Sequence, residues 1–173
     1  MKALIKRQIE GMMFHDEMAD YFQFLGLQGF KRLHEYHFLS ETKLMRKLKR
    51  HFIDYENELP DVREIDYDSK IPQAWIGRKQ SDVDFSTRQR AVRQAMDIWV
   101  EWEQETLDVY SKAYSESKPE CKEWIGCLTY DVAKELKQAK RLRLKLESCD
   151  YSMDVIIEMQ DKFHDKFRKK YRG

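Results

Sequence analysis

Glycine and proline are scarce in this chain: 6 and 3 of 173 residues. A fold of short strands needs those residues at its turns, so an all-β architecture is excluded and long helices are expected. Cysteine is also sparse. Cys121, Cys127 and Cys149 contain no CxxC and cannot build a disulfide framework, which fits a reducing, cytoplasmic setting. No apolar run approaches the ~18 residues of a membrane span. The opening MKALIKRQIE turns polar too soon for a secretory leader. Charge of one sign is missing too. Lys+Arg (32) and Asp+Glu (31) leave a net +1, without the basic excess of a nucleic-acid or anionic-membrane binder. No Gly-rich phosphate loop, nucleophile elbow or zincin motif occurs. What is abundant is apolar (42 %) and aromatic (13 %) residues, which excludes disorder.

The few glycines and prolines mark the breaks. Gly26 and Gly29 bracket a short one. A long polar stretch, 57–85, holds Pro60, Pro72 and Gly77. Further breaks lie at 115–119 and 148–152. Between them the apolar residues recur at helical spacing. The first helix is predicted over 2–25, with Ile5, Ile9, Met12, Ala19 and Phe22. The second covers 30–56, with Leu33, His37, Leu44, Leu48 and Phe52. The third starts at Ser86, where Ser86-x-x-Gln89 has capping-box form. The fourth starts at Pro119, and a fifth runs over about 153–171 with Ile156, Met159, Phe163 and Phe167 on one face. That face calls for a partner surface. Short breaks join antiparallel neighbours, whereas the long one can travel the bundle length and return the third helix parallel to the second. The expected architecture is all-α: a four-helix bundle over 1–150 with one long crossover (about 57–85), then a C-terminal helix over 151–173.

Several polar residues fall on the apolar stripes, where a bundle core should carry none. These are Gln8 and His15 in the first helix, and His37 with Glu41 one turn later in the second. Glu103 stands in line with Trp99 and Tyr110 in the third, and Asp131 and Glu135 lie near the stripe of the fourth. Carboxylates and a histidine projecting inward from facing helices form di-iron or di-manganese sites, whose strong signature is Glu-x-x-His. That signature is missing: Glu41 is followed by Leu44 and Glu103 by Thr106. His34 and His37 are three apart and read as a polar patch or as a two-histidine metal pair. The basic end Lys166–Arg172 reads as a solvated helix end rather than a nucleic-acid contact.

Two stretches carry a resemblance to the ferritin family. Met18 to Pro60 (MADYFQFLGLQGFKRLHEYHFLSETKLMRKLKRHFIDYENELP) resembles the end of a first ferritin helix, its Gly-containing turn, and a second helix leaving through Asn-x-Leu-Pro. Trp102-Glu103-Gln104 is similar to the His-Glu-Gln triplet of bacterial ferritins. The resemblance implies a ferritin-like bundle and a cytoplasmic homo-oligomeric iron-storage cage. Carried over by position, it puts the ferroxidase ligands at Gln8, Glu41, Leu44 and Glu103, with the fourth-helix positions near Lys134 and Lys137. Leu44 cannot bind metal, so the resemblance implies a site degraded to weak or absent ferroxidase activity. Lys134 or Lys137 would replace the iron as a salt bridge to Glu41 and Glu103. If the fourth helix slips, Asp131 or Glu135 takes a ligand role, and His37 supplies a relocated nitrogen. Two other expectations stand beside storage: a metal-free bundle serving as a structural or interaction module, and a di-metal oxidase with displaced ligands.

Overall fold

A computed structural model describes residues 1–62 and 65–168 of the chain. Five helices follow in order: α1 (Lys2–Phe24), α2 (Gln28–Glu56), α3 (Phe85–Glu116), α4 (Pro119–Glu147) and α5 (Met153–Arg168). The described residues contain no strand, and no helix among them is long and apolar enough to cross a membrane. The basic end expected as a solvated tail lies outside the described residues from 169 on.

Side-chain pairs fix the helix directions. Phe22 stacks on Phe30, while Gly11 faces Glu41, so α2 runs antiparallel to α1. Tyr110 reaches Gln8 and Phe14 stacks on Trp102, so α3 is also antiparallel to α1. Therefore α2 and α3 are parallel, as the connection lengths predict. Lys140 bonds to Gln104 and Arg143 to Asp97, which sets α4 antiparallel to α3. The α2–α3 crossover climbs along the bundle. It leaves near Lys2, which pairs with Glu58, and Val62 packs on the lower apolar cluster. Tyr67 then donates to Glu17 (2.7 Å), Trp75 lies edge-on to Tyr21 and Phe24, and Val83 enters the upper cluster.

Local chemistry sets the ends. Leu27 N–H bonds back to the Phe22 carbonyl and Gly26 N–H to that of Gln23, with Gly26 at φ +74°. This is a Schellman termination, and it selects glycine at that position. Asp84, not Ser86, caps α3: its carboxylate accepts from Thr87 N–H at 2.7 Å. The expected partner Gln89 instead donates to the Tyr151 carbonyl, because the α4–α5 turn lies against it. Asp84→Ala should therefore lower the urea midpoint, whereas Ser86→Ala should leave it nearly unchanged.

Gly29 does not bracket a break; it lies inside α2. A Cβ there would stand 1.8 Å from the Gln160 carbonyl oxygen, so the α5 backbone rests directly on α2. The turn after α4 sends α5 back through two left-handed residues, Asp150 (φ 47°) and Tyr151 (φ 53°), with Tyr151 N–H bonded to the Leu146 carbonyl. Phe163 meets Phe30 edge-on and Phe167 packs on Tyr36. Ile156, Met159 and Phe167 are buried within the single chain. The apolar face of α5 thus finds cover on this chain's own α2.

Candidate functional site

The apolar core is split in two. An upper cluster takes in Phe14, Met18, Trp99, Trp102 and Leu136, and a lower one Leu4, Ile5, Leu48, Tyr110 and Val132. The break between them falls at the same level on all four bundle helices. Gln8, Gly11 and His15 occupy it on α1, His34, His37 and Glu41 on α2, Glu103 and Thr106 on α3, and Glu135 on α4. Helical period aligns each set on one inward face.

The belt is tightly connected at its upper end. His15 Nδ1 and His34 Nδ1 stand 3.0 Å apart, and His15 Nε2 is 3.8 Å from Glu103 Oε1. The His37 ring stacks on that of His15 at 4.9 Å between centroids. Trp99 packs edge-on against His34 and His37 and donates Nε1–H to Glu103 Oε1 at 2.8 Å. At the lower end Tyr110 donates to Gln8 Oε1 at 2.6 Å. Arg7 closes the α1–α3 side. Its guanidinium lies 3.5 Å from the Trp102 ring centroid and bonds to Thr106, the Trp102 carbonyl and Glu105. Replacing Tyr110 with Phe should lower stability by about 1–3 kcal/mol in chemical denaturation, because Gln8 Oε1 then stays buried without its donor.

Electrostatics drive the belt toward its neutral form. Burial, then the neighbouring Glu135 carboxyl, raise Glu103 to about 8, against the opposing Trp99 bond. Burial and Asp131 raise Glu135 to about 7. Glu41 is held well above the ordinary carboxylate range by burial, then by Glu135 and Glu103. The imidazoles move the other way. Burial and then His37 and His34 hold His15 well below its usual value; burial and His37 do the same to His34. Burial and Lys166 lower His37 to about 4. Among the described residues, five buried atoms of this belt find no hydrogen-bond partner: His15 Nε2, His34 Nε2, both nitrogens of His37, and Glu41 Oε2. Unpaired polar atoms are costly to bury, so this belt is the candidate functional site of the fold.

The candidate residues read from the sequence divide sharply. Gln8, His37, Glu41 and Glu103 all enter the belt. Lys134 and Lys137 do not. Both are exposed, and Lys134 pairs at the surface with Asp131 at 3.0 Å. The proposed salt bridge to Glu41 and Glu103 is therefore replaced by a third acid, Glu135. Glu135, the alternative that a slipped fourth helix allows, faces the belt instead. His15 and His34 also belong to the centre, at 0 % exposure, and the sequence stripes signal both only weakly. Among the described residues, no three His, Cys, Asp or Glu side chains already close on a common point.

Comparison with known proteins adds no family: no family model, no curated protein and no solved structure matches the chain.

Proposed function

We propose that this protein is a ferritin-like metal-handling bundle whose buried carboxyls hold a hard divalent cation of the iron or manganese class. The supporting observation is that Glu41, Glu103 and Glu135 share one interior level with no lysine among the described residues beside them to neutralise them. Buried acids need a metal, a cation or protons. The lysines face solvent, and the Arg7 guanidinium is engaged by Thr106, the Trp102 carbonyl and Glu105. Oxygen donors of this kind suit iron and manganese. Such an ion would supply Lewis acidity and redox capacity within the bundle. The residues bind it, and the surrounding Trp99, Tyr110 and Trp102 exclude bulk water. Of the readings open from the sequence, a metal centre with displaced ligands gains most. A storage cage rests on the resemblance alone.

The test is anaerobic Fe²⁺ titration of chelator-stripped protein by calorimetry. Saturable binding should be lost in a variant carrying Gln at 41, 103 and 135. Equal Fe²⁺ binding by the wild type and that variant rejects the reading.

A further inference from the structure

We infer that His15, His34 and His37 form a nitrogen-donor metal position, distinct from the carboxylate position, that takes a borderline divalent cation of the zinc class. It rests on the reading of the belt as metal-handling, but it uses atoms that the iron proposal does not need. Two ligands are nearly in place. The Nδ1 atoms of His15 and His34 are 3.0 Å apart, across the α1–α2 interface. Two imidazole nitrogens on one tetrahedral zinc, at bonds of ~2.0–2.1 Å, stand about 3.3 Å apart. The pair must open by a few tenths of an ångström and both rings must turn, because a hydrogen-bonded pair faces its nitrogens at each other rather than at a common point.

The third ligand is His37, one turn from His34 on α2. Neither of its nitrogens has a partner, and its ring already stacks on His15. Rotation of this side chain would bring a nitrogen to the pair. Glu103 then takes a positioning role. Its Oε1 lies 3.8 Å from His15 Nε2, beyond hydrogen-bond reach, and a small turn of the ring on metal binding would let Nε2–H donate to it and leave Nδ1 as the ligating lone pair. A carboxylate behind a ligating imidazole fixes tautomer and ring orientation in this way. In the metal-free belt, the His15–His34 contact holds one proton between two Nδ1 atoms; when the cation takes both lone pairs, that proton moves to His34 Nε2, which has no partner, and the imidazole stays neutral. Phe22 stacked on His34, and Trp99 against His34 and His37, wall the position off. That leaves the fourth coordination place to a small ligand such as water. Three neutral imidazoles suit a borderline cation, whereas hard cations favour the oxygens below.

Co²⁺ and Zn²⁺ test this on the metal-free, full-length protein. One equivalent of Co²⁺ should give the intense visible bands of a low-coordinate, nitrogen-bound ion. Zn²⁺ should abolish them and shift ring nitrogens of His15, His34 and His37 together in histidine-detected NMR. His34→Gln should weaken Zn²⁺ binding by on the order of 100-fold or more, while Glu41→Gln and Glu135→Gln should retain it. Weak octahedral-type bands, or a Zn²⁺ response confined to fewer than three of these imidazoles, overturn the proposal. The wild-type NMR decides even if the His34 variant does not fold. Co²⁺ bound by the imidazoles without saturable Fe²⁺ binding sinks only the iron reading; the reverse result sinks only this one.

Discussion

Glu103→Gln should stabilise the metal-free protein at pH 8 and do nothing for it at pH 4.5. Removing a buried, hydrogen-bonded acid normally costs stability, so the sign is distinctive. It follows from where the proton sits. Glu103 titrates near 8 in the fold against an ordinary 4.5, so above pH 4.5 folding must take up a proton that the unfolded chain has released. Stability then falls as pH rises, through the folded value. Gln imitates the protonated acid, and its carbonyl still accepts from Trp99 Nε1–H. The gain at pH 8 should be on the order of 2–4 kcal/mol. The same substitution should weaken Fe²⁺ binding.

The histidines shape the other flank of the profile. His15, His34 and His37 titrate below their ordinary 6.5, with His37 at about 4. Below pH 6.5 unfolding gains protons, and stability falls as pH falls. Between about 4.5 and 6.5 the three carboxyls and three imidazoles oppose each other, with Arg7 from α1 and Lys166 from α5 as the permanent charges acting on them. The metal-free protein should therefore show a plateau of stability there. It should lose stability above pH 6.5 and again below pH 4.5, as read from urea midpoints in chelator. A midpoint that rises steadily from pH 6.5 to 8 contradicts the placement of these acids. Added Fe²⁺ should reverse the alkaline fall, because the cation replaces the protons.

How much of this could be read from the residues depends on the helix. The stripes of α1 to α4 are long, so periodicity locates the helices, and connection lengths suffice for the parallel α2–α3 pair. Glu41 and Glu103 are legible because each stands amid apolar neighbours at helical spacing. Glu135 was equally available. At about 100° per residue it falls within the stripe of Val132, Leu136, Ala139, Leu142 and Leu146, between Leu142 and Leu146 on one side of it, whereas Lys134 and Lys137 fall far from it. His15 likewise sits on the line of Leu4, Gly11, Met18 and Phe22. The α4–α5 turn could not be foreseen. Its two left-handed positions are Asp150 and Tyr151, not glycine, and they are held by tertiary contacts: Arg93 on Asp150 at 2.7 Å and Gln89 on the Tyr151 carbonyl. Without that reversal the apolar face of α5 looks like an intermolecular surface.

Gly29→Ala should release α5 from the bundle. The added methyl would lie 1.8 Å from the Gln160 carbonyl oxygen and 2.5 Å from its carbonyl carbon. Both are rigid backbone, so no rotamer change relieves the clash, and the α5 axis must retreat by more than an ångström. At that separation Phe163 leaves Phe30 and Phe167 leaves Tyr36, and the buried faces of Ile156 and Met159 lose close packing. Dispersion falls off within such a gap, and overpacking at a fixed backbone contact costs about 1–3 kcal/mol or more. The helical preference of Ala over Gly returns at most ~1 kcal/mol, so the clash wins. The measurable consequences are a lowered thermal midpoint and faster proteolysis within the turn at 148–152, with the four-helix portion persisting as the larger fragment. A Gly29→Ala protein as protease-resistant and as stable as the wild type would show that α5 does not dock on α2 in solution. Its apolar face would then again be open to a second subunit.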